Sequence, residues 1–112
     1  MAQPRTALLK GTLDMLILKT LAQGPMHGYG VARWIEERTG EALQVEEGSL
    51  YPALYRMARR GWIRSEWGTT EHNRRAKFYA LTAKGKKRLD VGVADWRRFT
   101  VAVGRVLEEK PA

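Results

Sequence analysis

The sequence predicts a mainly α-helical fold that carries one small β-hairpin and ends in a long helix. Apolar residues recur at helical spacing in three stretches before residue 61, and the period becomes strand-like between residues 62 and 81. After Thr82, an apolar stripe with spacings of four and three continues to Leu107. A chain of 112 residues, 44% of them hydrophobic, is long enough for one core but not for two.

The first two predicted helices are short and close together in the chain. Thr12 is the expected N-cap of the first helix, and Gly24-Pro25 ends it. Arg5 to Lys10 predict one further turn ahead of this helix. The second helix is expected from Gly28 to Arg38. The inward faces of the pair carry Leu13, Leu16, Ile17, Leu21, Val31, Ala32 and Ile35.

A third helix is expected from Glu47 to Arg60, ended by Gly61, with Pro52 tolerated only near its start. One face of this helix is apolar and the other is polar. Hydrogen-bonding groups combined with cations suit contact with a DNA major groove. The alternative is that the tyrosines pack on neighbouring helices and the arginines only confer solubility. The candidate DNA-binding residues here are Ser49, Tyr51, Tyr55, Arg56 and Arg59.

Two strand-like segments follow, Trp62 to Trp67 and Ala76 to Leu81, with a basic loop from Gly68 to Arg75 between them. This pattern predicts a β-hairpin with a protruding basic tip, suited to a phosphate backbone or a minor groove. A polar loop without a partner is the alternative. The candidate DNA-binding residues of the hairpin are Asn73, Arg74, Arg75 and Lys77.

Three helices, a basic hairpin and a long last helix predict a winged helix-turn-helix with an appended helix. We expect residues 1–82 to form the DNA-binding domain and residues 83–112 a C-terminal dimerisation helix, packed as one compact unit. Thr82 is the expected N-cap of a last helix from about Ala83 to Glu109.

The apolar stripe of the last helix is too long for a lone surface helix, so a symmetric dimer would cover it. Trp96 would then be either a stacking surface for a flat aromatic ligand or packed dimer core. The candidate residues at a dimer or effector interface are Leu89, Val93, Trp96, Phe99, Val103 and Leu107.

The positive charge is concentrated in one block. The whole chain has 20 Lys and Arg residues against 12 Asp and Glu, and residues 56 to 88 alone carry eleven basic residues against two acidic ones. Such a block is typical of a surface that binds nucleic acid or membrane phosphates. It includes four cations at the start of the last helix, where the helix dipole disfavours them. Either an external anion or simple solvation accounts for Lys84, Lys86, Lys87 and Arg88.

Several functions are excluded by the residues present. The chain has no cysteine, which excludes disulfide scaffolds, cysteine-based zinc sites and thiol catalysis. His27 and His72 are the only histidines and lie in different turns, so we expect no enzyme, no cofactor and no metal. Asp14 and Lys19 interrupt the apolar N-terminal stretch, so we expect a cytoplasmic protein without a signal peptide or membrane segment.

Four segments of the chain form a recognisable set of motifs: GTLDMLIL from Gly11, MHGYG from Met26, GSLYPAL from Gly48 and KFYALTAKG from Lys77. They resemble the motifs of the PadR family of bacterial transcriptional regulators, and this resemblance covers about residues 8 to 107. It implies a dimeric winged-helix repressor with a single C-terminal helix, as in the shorter members. Some members release DNA when phenolic or planar aromatic compounds bind. The resemblance also implies that Tyr51 and the third helix contact DNA and that the hairpin is the wing.

The sequence therefore predicts a homodimeric repressor that binds double-stranded DNA at a palindromic operator and is released by a small aromatic effector. The alternative is a winged-helix protein-interaction module whose basic block meets an acidic partner. Binding that prefers duplex DNA and weakens steeply with salt distinguishes the first from the second.

Overall fold

A computed structural model describes residues 11–111, in which four helices surround one three-stranded antiparallel sheet with strand order β1-β3-β2. This architecture confirms the predicted fold class. The expected turn over Arg5 to Lys10 lies outside the described residues. The elements are α1 (Thr12–Leu21), β1 (Met26–His27), α2 (Gly28–Arg38), α3 (Glu47–Arg59), β2 (Ile63–Thr69), β3 (Arg75–Leu81) and α4 (Ala83–Leu107).

The helix ends follow the sequence signals with three differences. Gly11 rather than Thr12 is the N-cap of α1, and no side chain caps that end. The third helix, α3, ends at Arg59 rather than Arg60, and Pro52 is its sixth residue, so the helix there lacks the hydrogen bond that an N–H would donate. The last helix, α4, ends at Leu107 rather than Glu109. None of the helices described between residues 11 and 111 has the length and apolar character needed to cross a membrane.

The sheet contains a strand that the sequence did not reveal. In β1, Met26 pairs with Tyr79 and His27 with Phe78. A two-residue strand is too short to show an alternation of apolar and polar residues. His27 also caps α2, because its Nδ1 accepts a hydrogen bond from the Gly30 N–H at 3.1 Å.

The hairpin of β2 and β3, which we call the wing, has longer strands and a shorter tip than predicted. Residues 70–74 form the tip, where Asn73 adopts a φ of 59°. Arg75, which the sequence analysis placed in the loop, belongs to β3 together with Lys77. Their side chains therefore project from a strand with a fixed register, and Lys77 lies directly opposite Trp67 on β2.

One hydrophobic core lies where α1, α2, α3, the sheet and the first turns of α4 meet. Leu16, expected in this core, is only partly buried at its edge. In the part of the chain that the structure describes, no buried side-chain nitrogen or oxygen lacks a hydrogen-bond partner. The core residues are Leu13, Ile17, Leu18, Leu21, Val31, Ala32, Ile35, Val45, Leu50, Ala53, Leu54, Met57, Ile63, Tyr79 and Leu89.

Thr82 joins the end of α3 to the start of α4. Its hydroxyl oxygen accepts a hydrogen bond from the Gly85 N–H at 3.0 Å, as expected of an N-cap. The hydroxyl also donates its one proton towards two carbonyl oxygens, that of Gly61 at 2.6 Å and that of Trp62 at 2.9 Å. A Cβ on Gly85 would overlap the Trp62 carbonyl oxygen, so glycine is required there. We call this contact region the Thr82 junction.

Candidate nucleic-acid interface

The outer face of α3 carries the predicted polar residues. Ser49, Tyr55 and Arg59 are exposed, whereas the apolar face of the helix is buried. Tyr55 is 67% exposed, so it does not pack into a neighbouring helix. The Arg59 guanidinium lies 5.9 Å from the centre of the Tyr55 ring, at the distance of a cation–π contact. This face is free to meet an external partner.

Tyr51 packs against the start of α2 while part of its side chain stays in solvent. A Cβ on Gly28 would lie 2.8 Å from Tyr51 Cε1 and 2.9 Å from its hydroxyl oxygen, so the ring occupies the space that a side chain would fill. Tyr51 nevertheless remains 45% exposed. It therefore combines the packing role with the exposure that a DNA-contacting residue needs.

Arg56 differs from the free cation that the sequence analysis described. Its Nη2 donates to Asp14 Oδ1 at 2.7 Å, which ties α3 to α1. The two residues are 42 positions apart, so no local pattern indicates this pair. To contact another anion, Arg56 must either bind that anion and Asp14 at the same time or give up its bond to Asp14.

Arg75 and Lys77 share an aromatic platform on the inner face of the wing. The Arg75 guanidinium lies 4.8 Å from the centre of the Trp67 ring, and the Lys77 Nζ lies 6.0 Å from it. Trp67 is 58% exposed and has no place in the core. Since such contacts orient cations without neutralising them, Trp67 is a further candidate residue of the interface, which the sequence analysis missed. The sequence alone does not indicate this role, because the position of Trp67 opposite Lys77 follows only from the register of the two strands.

An open cleft of about 670 Å³ separates the wing from the N-terminal ends of α2 and α3. Tyr29, Tyr51 and Tyr79 line one part of it, and basic side chains of the wing line the other. Burial, with a further contribution from Tyr51, raises the pKa of the Tyr79 phenol. A phenol is neutral at neutral pH even without such a shift, so the Tyr79 O–H can donate a hydrogen bond there. The basic residues are His72, Arg74, Arg75 and Lys77. The cleft suits an anion that can also accept hydrogen bonds.

The predicted dimer or effector residues of α4 divide into two groups. Leu89 is 6% exposed and belongs to the core of its own chain, and Val93 packs partly against that core. The expectation that Leu89 faces a partner is therefore wrong, because its apolar surface is already covered. The remaining four, which we call the α4 stripe, are exposed: Trp96, Phe99, Val103 and Leu107.

Two members of the α4 stripe border a second cavity, of about 330 Å³, between α1 and α4. The Trp96 and Phe99 ring centres are 6.1 Å apart and tilted by 36°. Asp14 and Asp95 contribute carboxylates to the same cavity. Arg88 also borders it, so the cavity combines aromatic surface with acidic and basic groups.

A helix with a free polar face, supported by a second helix and flanked by a hairpin, is the arrangement of winged helix-turn-helix DNA-binding proteins. Comparison with known proteins identifies the family within this class. Residues 17–91 match the family model of the Transcriptional regulator PadR-like family. The chain belongs to this family, as the sequence resemblance indicated, and is a DNA-binding transcriptional regulator rather than an enzyme.

Solved structures agree with this assignment. A transcriptional regulator from Clostridium thermocellum is 28% identical, with a TM-score of 0.78 over 86% of this chain and 93% of that protein. A PadR family transcriptional regulator from Eggerthella lenta is 30% identical, with a TM-score of 0.77 over 90% and 86%. A PadR-like transcriptional regulator from Bacillus cereus is 27% identical, with a TM-score of 0.78 over 91% and 97%.

Proposed function

We propose that this protein is a homodimeric repressor that binds a palindromic operator and is released by a small aromatic ligand. The observation that supports this most strongly is the separation of two exposed surfaces. Cations and tyrosines cluster on α3 and the wing, whereas apolar side chains are exposed along α4. The first surface is suited to DNA and the second to another copy of the chain.

In this proposal α3 enters the major groove and the wing lies along the backbone. Ser49 and Tyr55 offer hydrogen-bonding groups to base edges, as direct readout requires. Arg74, Arg75 and Lys77 meet phosphates, which fix the position of the protein but carry no sequence information. Tyr51 and the neutral Tyr79 donate hydrogen bonds to phosphate oxygens at the cleft.

The α4 stripe supports the dimer. Exposed apolar side chains at helical spacing over several turns form a surface that a second helix covers. A two-fold axis through this contact would place two copies of α3 on successive turns of one duplex face, about 34–36 Å apart. Operator palindromy follows from that symmetry.

The cavity between α1 and α4 supports the effector. Trp96 and Phe99 provide aromatic surface on which a planar molecule stacks. A ligand that binds there and favours another spacing of the two α3 helices would weaken DNA binding by its preference for that spacing.

Duplex DNA from the regions flanking the gene tests the DNA-binding part. We expect binding to weaken steeply with salt, and Arg75→Ala to lower the slope of log K against log salt by about 1.8 per dimer, or 0.9 per lost contact. Arg64→Ala is the matched control, because Arg64 lies on the opposite face of the wing from Arg75 and Lys77. Tyr55→Ala should also reduce the preference for the operator over unrelated DNA.

Two outcomes would contradict the proposal. Equal binding to duplex DNA and to an acidic polypeptide would favour the protein-interaction module. A reporter gene under the operator that is transcribed equally with and without the protein would exclude repression.

A further inference from the structure

We propose a second phosphate-binding surface at the opposite end of α3 from the wing, formed by Arg60, Lys84 and Arg88 around Trp62. Its ligand is the DNA backbone strand on the far side of the major groove. The proposal rests on DNA binding through α3 and adds a contact made by the C-terminal end of that helix. We call these four residues the Trp62 cluster.

Three cations from two elements converge at this point. The guanidinium carbons of Arg60 and Arg88 lie 5.1 and 5.3 Å from the centre of the Trp62 ring. The Lys84 side chain passes Gly61, where an added Cβ would lie 3.7 Å from its Cδ and 4.0 Å from its Nζ. Trp62 itself is half-buried and packs against the core. The ring therefore holds two arginines in place from a fixed position.

The cations of the Trp62 cluster have no anionic partner among the residues that the structure describes. Between residues 11 and 111, no carboxylate lies within 4.0 Å of the charged nitrogens of Arg60, Lys84 or Arg88. Asp14 and Asp95 line the cavity that Arg88 also borders, but they pair with Arg56 and Arg98. Gathering like charges without a counter-charge is unfavourable, and an external anion removes that cost.

The chemistry of a stacked guanidinium matches a phosphodiester. The planar face rests on the indole, while the N–H groups at the edge stay free to donate. Two such edges, with a lysine beside them, offer charge-assisted hydrogen bonds to phosphate oxygens. The wing has a similar arrangement, in which Arg75 and Lys77 lie over the ring of Trp67.

The Trp62 cluster is held rigidly by the Thr82 junction. The Thr82 hydroxyl and the Thr82 backbone N–H both donate hydrogen bonds to the Trp62 carbonyl oxygen, at 2.9 and 3.1 Å. Gly85 lets α4 approach that carbonyl closely. This fixes the start of α4, and with it Lys84 and Arg88, against the end of α3, so little ordering is needed when an anion binds.

The two tryptophan sites lie at opposite ends of one helix. The cleft beside the wing includes Tyr51 in the first turns of α3, whereas Arg60 follows its last residue. The 13 residues of α3 span about 20 Å. A major groove is about 12 Å wide and is bordered by one phosphate strand on each side. A helix lying across it therefore brings one end to each strand.

The test compares salt dependence for Arg88→Ala, Arg60→Ala and their double variant on one duplex. We expect each single change to lower the slope of log K against log salt by about 1.8 per dimer, equally for operator and unrelated DNA. Lys86→Ala is the matched control, because Lys86 occupies the same turn of α4 but points about 200° away from Lys84. Thermal unfolding verifies that each variant is folded.

A second readout locates the strand. Replacing phosphates by neutral methylphosphonates on one of the two strands that border the groove should weaken binding of the wild-type protein. We expect this weakening to disappear in Arg88→Ala when one strand is modified, and in Arg75→Ala when the other strand is modified. A wild-type slope in Arg60→Ala and Arg88→Ala, with a lowered slope in Arg75→Ala, would overturn the Trp62 cluster and leave the proposed function intact. Unchanged slopes in all three variants would overturn both. If Arg60→Ala and Arg88→Ala weakened binding to poly-glutamate but not to DNA, the Trp62 cluster would be assigned to an acidic protein partner.

Discussion

Residues 12–93 and the distal part of α4, residues 96–107, are built on different principles. In the first region, apolar side chains from every helix and from the sheet meet in one core, and the buried polar atoms described there are satisfied. In the second, Leu107 is 77% exposed and the rest of the α4 stripe also faces solvent. The same helix thus completes the core of its own chain at Leu89 and offers an exposed surface from Trp96 onward, about two turns later. The same apolar spacing in the sequence runs through a covered part and an exposed part of α4.

The largest expected effect comes from placing a charge in the α4 stripe. Val103→Asp should produce monomers, because a buried unpaired carboxylate is strongly unfavourable at a helix contact. Losing the second half-site should then weaken operator binding by about 100-fold or more. The free energy of unfolding of residues 12–93 should barely change. Analytical ultracentrifugation and DNA titration measure both effects.

Val101→Asp is the matched control for this prediction. Val101 lies in the same distal part of α4 and is also exposed, but it points about 200° away from Val103. Val101→Asp should remain dimeric. A monomeric wild type would contradict the proposed interface.

A pair of glycine substitutions sharpens the comparison. Gly85→Ala forces a methyl group into the Trp62 carbonyl and should lower the free energy of unfolding by about 1–3 kcal/mol. Gly104→Ala meets open space, with Glu108 Oε1 nearest at 4.0 Å, and should raise it by about 0.5–1 kcal/mol through helix propensity. Urea unfolding followed by circular dichroism measures both. Equal stability of Gly85→Ala and wild type would show that the Thr82 junction yields easily.

A smaller effect is expected from a planar aromatic ligand at the junction of the two regions. Quenching of Trp96 fluorescence should accompany binding, and operator DNA should weaken ligand binding by the same factor, about fivefold or more, as the ligand weakens DNA binding. Trp96→Phe isolates this signal from Trp34, Trp62 and Trp67. Quenching that persists in Trp96→Phe would exclude Trp96 from the ligand site.

The smallest expected effect is an alkaline loss of stability that arises from the core-facing Tyr79. Burial raises the pKa of Tyr79 in the folded chain, so on raising the pH the unfolded chain loses this proton first, near pH 10. The stabilisation is complete below about pH 10 and falls as pH rises towards the folded pKa. Tyr79→Phe should remove this part of the pH dependence in urea titrations between pH 8 and 11. An identical profile in both proteins would assign the loss to other groups.

Local signals in the sequence were sufficient for most of the fold. The bounds of α2 and the buried and free faces of α3 agree with the structure, because glycines, caps and helical spacing act within a few residues. Contacts between distant segments were not accessible in this way. The bond between Arg56 and Asp14 and the pairing of β1 with β3 depend on how elements meet.

The candidate site was predicted by residue type more than by arrangement. Apolar spacing alone does not say whether Leu89 packs within its own chain or against another, and the structure places it in its own core. Likewise, Trp62 and Trp67 look like ordinary strand aromatics until the register and the α3–α4 contact bring cations onto their rings. Short-range pattern identifies the charged residues, and tertiary packing decides which of them are held in place.

The rigid attachment of α4 at the Thr82 junction makes that helix a lever. Its 25 residues extend about 38 Å from Thr82, so a rotation of the whole chain by about 5° about Thr82 moves the far end of α4 by about 3 Å. Conversely, a displacement of that size between two paired α4 helices would turn each attached body by a few degrees. In the proposed dimer, a ligand as thick as one aromatic ring, bound near Trp96, would therefore be enough to alter the distance between the two α3 helices.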